Sequence, residues 1–212
     1  MTSASVVPGR SLLPRLHAVT DERVARRGDL AELARELAAA AGAELACHAR
    51  GRALSGLEHF ALAVTLAGSP PAQLFVNDRL DIALACGAAG VQLGEGSLAP
   101  ADARRLNPRW WIGVSVHDGG EAEAARMAGA DYLLVGPVFR TATHPAREPL
   151  ARETLRRVVA LGVPVVAIGG VGPGRVAELR AAGVHGVAAI GALWGAPDPA
   201  DAARRMLEEL TQ

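Results

Sequence analysis

Eight short runs of aliphatic and β-branched residues recur along the chain, each followed by a longer Ala/Arg/Glu/Leu run at helical spacing. This alternation argues for βα units around a parallel sheet. The strand-like runs fall at 15–20, 44–49, 73–77, 90–93, 111–116, 131–137, 164–169 and 186–191. Helical runs are expected at 29–41, 55–67, 79–86, 100–106, 120–128, 150–161, 173–182 and 198–210. Five strand-like runs are preceded by a glycine set between small or aliphatic residues, at Gly42, Gly87, Gly129, Gly162 and Gly183. A glycine just past a helix end takes the left-handed cap conformation without a Cβ clash.

Eight such pairs in 212 residues predict one α/β domain, a compact (β/α)8 TIM barrel over 15–212, behind a flexible N-terminal tail at 1–14. A doubly wound dinucleotide fold wants G-x-G-x-x-G after its first strand, and His17-Ala18-Val19-Thr20-Asp21 offers none.

The 22 basic and 22 acidic residues balance, which argues against nucleic acid or an anionic membrane as partner and for a small, locally bound molecule. No run approaches the roughly 18–20 apolar residues that cross a bilayer, and Cys47 and Cys86 read as buried thiols in a reducing, cytoplasmic setting. Every basic side chain other than histidine is arginine. Surface helices of a barrel are compatible with a homo-oligomer, but no apolar stripe diagnoses one.

A barrel of this kind carries its chemistry at the C-terminal ends of its strands. Gly169 and Gly170 after the seventh run and Gly191 after the eighth predict a phosphate site built from backbone N–H groups. Thr141, Thr143 and His144, near Arg140 and Arg147, suit an anion as well as a solvated loop. Asp78, after Asn77, suits a hard cation, a helix cap or an arginine partner. His117, two residues beyond Ser115, suits proton transfer as well as simple exposure.

Taken in order, Leu16 to Asp21, Phe75 to Arg79, Gly90 to Gly94, Gly113 to His117, Gly136 to Thr143 and Ala167 to Gly170 resemble the motifs of the thiamine phosphate synthase and thiazole tautomerase superfamily. The resemblance implies a (β/α)8 barrel that binds a thiazole ethyl phosphate, with its phosphate on Gly169, Gly170 and Gly191.

Two reactions fall within that superfamily. The synthase pattern implies a Gln-x-Arg-x-Lys run, a second metal-binding aspartate and a lysine after the Thr-x-Thr pair. This chain has His48, Arg50 and Arg52 at the first, Ser97 at the second and His144 at the third. These departures lead to the expectation of the tautomerase branch, an isomerase that aromatises a thiazole carboxylate phosphate and needs no cofactor. On that reading His117 moves the proton, and Ser115, Thr141 or Thr143 orients the ring.

The alternative is a divergent Mg²⁺-dependent synthase, in which Arg50, Arg52, Asn77, Arg79 and His144 hold a pyrophosphate and Asp78 holds the metal. A third reading is a silent barrel that binds thiazole phosphate or thiamine phosphate and regulates a partner.

Overall fold

In the computed structural model, which describes residues 10–141 and 148–212, eight parallel strands close into a barrel in sequence order. They are β1 (Leu16–Val19), β2 (Leu45–Ala49), β3 (Gln73–Asn77), β4 (Gly90–Leu93), β5 (Trp111–Val116), β6 (Tyr132–Val135), β7 (Val165–Ile168) and β8 (Gly186–Ala189). The ring closes where Leu16 pairs with Val187.

The helices are α1 (Glu22–Ala25), α2 (Leu30–Ala41), α3 (Gly56–Ala67), α4 (Leu80–Ala85), α5 (Pro100–Leu106), α6 (Gly119–Met127), α7 (Arg152–Val159), α8 (Val176–Ala181), α9 (Gly191–Trp194) and α10 (Pro199–Thr211). The four-residue helices α1 and α9 were not expected, because one turn has no period to detect. The other eight lie where the spacing predicts them. The five post-helix glycines all have positive φ, from 59° at Gly42 to 90° at Gly183.

Two apolar regions follow from strand alternation. Outward residues such as Leu16, Cys47, Val76, Val91 and Ile112 pack under the helices. Inward residues, among them Val19, Phe75, Tyr132 and Val166, fill the barrel. Aliphatic side chains dominate most such interiors; here His17, His48, Phe75 and Tyr132 form a ring cluster, with centroids 5.1–6.1 Å apart. Glycines on adjoining strands give the rings room: a Cβ at Gly90 would lie 2.4 Å from Phe75, and one at Gly113 would lie 2.1 Å from Tyr132.

Residues 10–14, expected within a loose tail, instead lie across the N-terminal mouth. Arg10 donates to the Trp110 carbonyl and to Asp131, both at 3.2 Å. Its guanidinium stacks 3.3 Å from the Trp111 ring centroid, and Leu13 is buried. Cys47 is wholly buried, with its thiol pushed up to about 12 by desolvation, whereas Cys86 is only half-buried; neither is in a disulfide. Among the described residues, no helix is long and apolar enough to cross a membrane.

Candidate active site

The strands end at their C-terminal side in a cleft of about 1140 Å³, open mouth included. Arg50, Arg52, Asn77 and Asp78 line it from β2 and β3. Gly169, Gly170 and Ile190 line it from β7 and β8, and Ser115, His117 and Thr141 from β5 and β6. In an eight-stranded ring β3 and β7 are diametrically opposed, so the cleft has two separated polar ends.

Local hydrogen bonds set the basic end. The Thr20 hydroxyl lies 2.9 Å from the His48 carbonyl and 2.8 Å from that of Arg50, and it accepts the Arg50 N–H at 2.9 Å. This lashes the end of β2 to β1 and aims the chain that follows. Among the described residues, neither the Arg50 nor the Arg52 guanidinium has an ion-pair partner within 4 Å or a hydrogen-bond partner. Burial, then the Arg52 charge, lowers the Arg50 guanidinium from its ordinary value. An incoming anion relieves both costs.

Asp78 is exposed at φ 61°, a left-handed conformation rare for a side-chain-bearing residue. Its Oδ1 accepts the Gly94 N–H at 2.9 Å and the Ser97 hydroxyl. Its Oδ2 has no hydrogen-bond partner among the described residues. No three His, Cys, Asp or Glu side chains cluster among those residues, so a cation here would rely on substrate oxygens and water. Mg²⁺ commonly binds in that way, through one or two carboxylates. Asp78, with Glu95 on the same cleft, fits it.

At the glycine end, Gly169 (φ 102°) and Gly170 (φ 67°) are required by packing as well as by any ligand. A Cβ on Gly169 would lie 2.6 Å from Pro137, and one on Gly170 would lie 2.5 Å from the Arg140 carbonyl oxygen. Gly191 begins α9 and does not itself line the cleft; its neighbour Ile190 does.

Other predicted groups have found different partners. Arg79 turns away to a bidentate pair with Asp81, at 2.9 and 2.6 Å. Asp21 caps α1 through the Val24 N–H at 2.9 Å. Glu121 holds His117, accepting from its backbone N–H at 2.7 Å and lying 3.0 Å from its Nδ1. Thr143 and His144 lie outside the described residues. Pattern reading missed Gln92, buried and donating to the Ser115 hydroxyl at 3.0 Å. It also missed that His48 reaches into the barrel core. Strand alternation was the available signal for both.

A closed eight-stranded barrel with a basic and glycine-lined cleft at its C-terminal face defines the class: a TIM barrel of the kind that houses small-molecule enzymes. The thiamine monophosphate synthase family model (TMP-TENI) matches residues 16–193, and the chain belongs to that family.

The chain is 54% identical over 142 residues to the thiamine biosynthesis bifunctional protein ThiM/ThiE of Symbiobacterium thermophilum, covering 66% of this chain and 30% of that protein. It is 39% identical over 203 residues to the thiamine-phosphate synthase of Methanoculleus marisnigri, covering 92% and 94% of the two chains. The structure of the thiamine phosphate pyrophosphorylase from Pyrococcus furiosus superposes with a TM-score of 0.78 at 32% identity, over 92% and 95% of the chains.

These relatives overturn the expectation of a thiazole tautomerase, an isomerase. The physical reason is in the cleft: Arg50 and Arg52 keep two cations on it, and Ser97 still engages Asp78.

Proposed function

We propose that the barrel domain, from about residue 15 to the C-terminus, is a Mg²⁺-dependent thiamine phosphate synthase. It joins a pyrimidine methyl diphosphate to a thiazole ethyl phosphate. The observation that carries this reading is the pair of guanidiniums without a partner among the described residues, Arg50 and Arg52, beside Asp78 at one end of a cleft whose other end is lined by Gly169 and Gly170. Two anion-suited ends match two phosphorylated substrates.

The thiazole ring nitrogen contributes its lone pair to a new C–N bond at the pyrimidine methylene. The C–O bond to the diphosphate breaks, its electron pair leaves with the oxygen, and the ring becomes a thiazolium. No proton is transferred, so His117 is not needed as a base. Arg50 and Arg52 stabilise the charge that grows on the departing oxygen. Asp78, with Glu95 nearby, would hold Mg²⁺, which when bound neutralises diphosphate oxygens. Backbone N–H groups around Gly169, Gly170 and Ile190 would grip the thiazole phosphate and hold the nitrogen in line. Ser115 and Thr141 line the wall between the two ends.

The test is incubation of the purified protein with both substrates, in Mg²⁺ or in EDTA. Product that requires both substrates and Mg²⁺ is expected. Binding of both without turnover would overturn the reading in favour of a silent binder.

A further inference from the structure

A chain of hydrogen bonds runs through the barrel core from the N-terminal mouth to the cleft. The Pro14 carbonyl lies 2.9 Å from His17 Nε2. His17 Nδ1 lies 2.8 Å from His48 Nε2, and His48 Nδ1 lies 3.2 Å from Asn77 Oδ1. Both rings are wholly buried, while Asn77 reaches the cleft.

The chain has a direction because its first member can only accept. His17 Nε2 must therefore carry a proton, and a neutral His17 then has a bare Nδ1. His48 must donate to it from Nε2, which leaves His48 Nδ1 bare as well. A bare nitrogen needs a donor, and a carbonyl oxygen of Asn77 is not one.

With Oδ1 against His48, three bonds would demand an imidazolium at His17 or at His48. Burial opposes this, holding both rings in the neutral form. An amide exchanges its oxygen and nitrogen, with little change of shape, by a half-turn about χ2. That half-turn satisfies every member of the chain with no charge.

We propose that His17 and His48 form a one-way relay that holds the Asn77 NH2 toward the barrel core and its carbonyl oxygen toward the cleft, where it accepts a hydrogen bond from a substrate N–H. Asn77 then reads an amino group, not the diphosphate oxygens assigned to it from sequence. His17 and His48 are positioning residues: they act through Asn77. The synthase reading enters only in identifying the N–H as one on the pyrimidine substrate.

Two measurements test this separately. ¹⁵N-imidazole NMR of the unmodified protein, without substrate, is expected to show His17 and His48 as neutral Nε2–H tautomers. An Nδ1–H tautomer at His48, or a charge on either ring, overturns the relay whatever the activity.

In steady-state kinetics, His17→Phe removes the acceptor that fixes His48. It is expected to raise the KM for the pyrimidine diphosphate about 10-fold with little change in kcat. His17→Gln keeps the order, with Oε1 accepting from His48 and Nε2 donating to Pro14, and restores KM. Equal effects of Phe and Gln would overturn the positioning role. If the tautomers are as assigned but no thiamine phosphate forms, the relay stands and the synthase reading fails.

Discussion

The Ser97 hydroxyl donates to Asp78 Oδ1, the same oxygen that accepts the Gly94 N–H at 2.9 Å. A serine thus stands where the family pattern implies a second metal carboxylate, and it braces the first one instead of duplicating it. Both donors engage Oδ1 and leave Oδ2 for a cation. Asp78→Asn isolates this charge, because asparagine tolerates left-handed backbone comparably. The expected result is a fall in Mg²⁺-supported kcat/KM of about 100-fold or more, with an unchanged thermal midpoint. Rates measured against Mg²⁺ concentration check it; a normal Mg²⁺ response in the variant removes Asp78 from the metal site.

Arg50 and Arg52 are the two cations that line the cleft without a partner among the described residues. Charged hydrogen bonds contribute about 1.5–3 kcal/mol, so Arg50→Gln is expected to raise the KM for the diphosphate substrate about 10- to 100-fold. Arg50→Lys should recover only part of this, since an ammonium cannot present a planar fork. The KM for the thiazole phosphate, bound at the other end, should barely move. Equal loss for both substrates would contradict a cleft with two separate anion ends.

Gly170 and Gly191 separate packing from binding. Gly170→Ala puts a Cβ 2.5 Å from a backbone oxygen at φ 67°, and is expected to destabilise the fold by about 1–3 kcal/mol. A Cβ on Gly191 meets nothing within 4 Å. Gly191→Val should therefore leave the denaturation midpoint nearly unchanged. If the thiazole phosphate occupies the space beside α9, its KM rises. Unaltered affinity in Gly191→Val would confine the phosphate site to β7.

The barrel was legible because its signals are local. A β-branched run such as Val163-Pro164-Val165-Val166, opened by Gly162, needs no distant information to read as a strand. The cleft was legible where position along a strand suffices, as for Asn77, Ser115 and Arg50. It was illegible where a partner decides. Arg79 looks identical in sequence whether it faces a diphosphate or Asp81. His17 and His48 sit 31 residues apart, and only strand register brings their rings together. The branch of the family is not legible from departures such as Ser97 and His144, because a serine in place of a carboxylate reads as a lost metal ligand until the fold sets its hydroxyl on Asp78.

Acid should expose the buried histidines. Desolvation, the leading cause for both, holds His48 down to about 4 and His17 well below 6.5. In the unfolded chain each takes up a proton near pH 6.5. Between about 6.5 and about 4 the unfolded state therefore binds more protons than the folded state, and stability falls as the pH is lowered through that window. The contribution of His48 is intact above about pH 6.5, and its loss levels off below about 4. That gap corresponds to about 3 kcal/mol. His48→Gln removes the titration while keeping a polar side chain. Urea midpoints at pH 7.5 and pH 5 are thus expected to differ less in the variant than in the unmodified protein. Parallel shifts in the two would mean that His48 is protonated in the folded state, which the neutral relay through His17 does not allow.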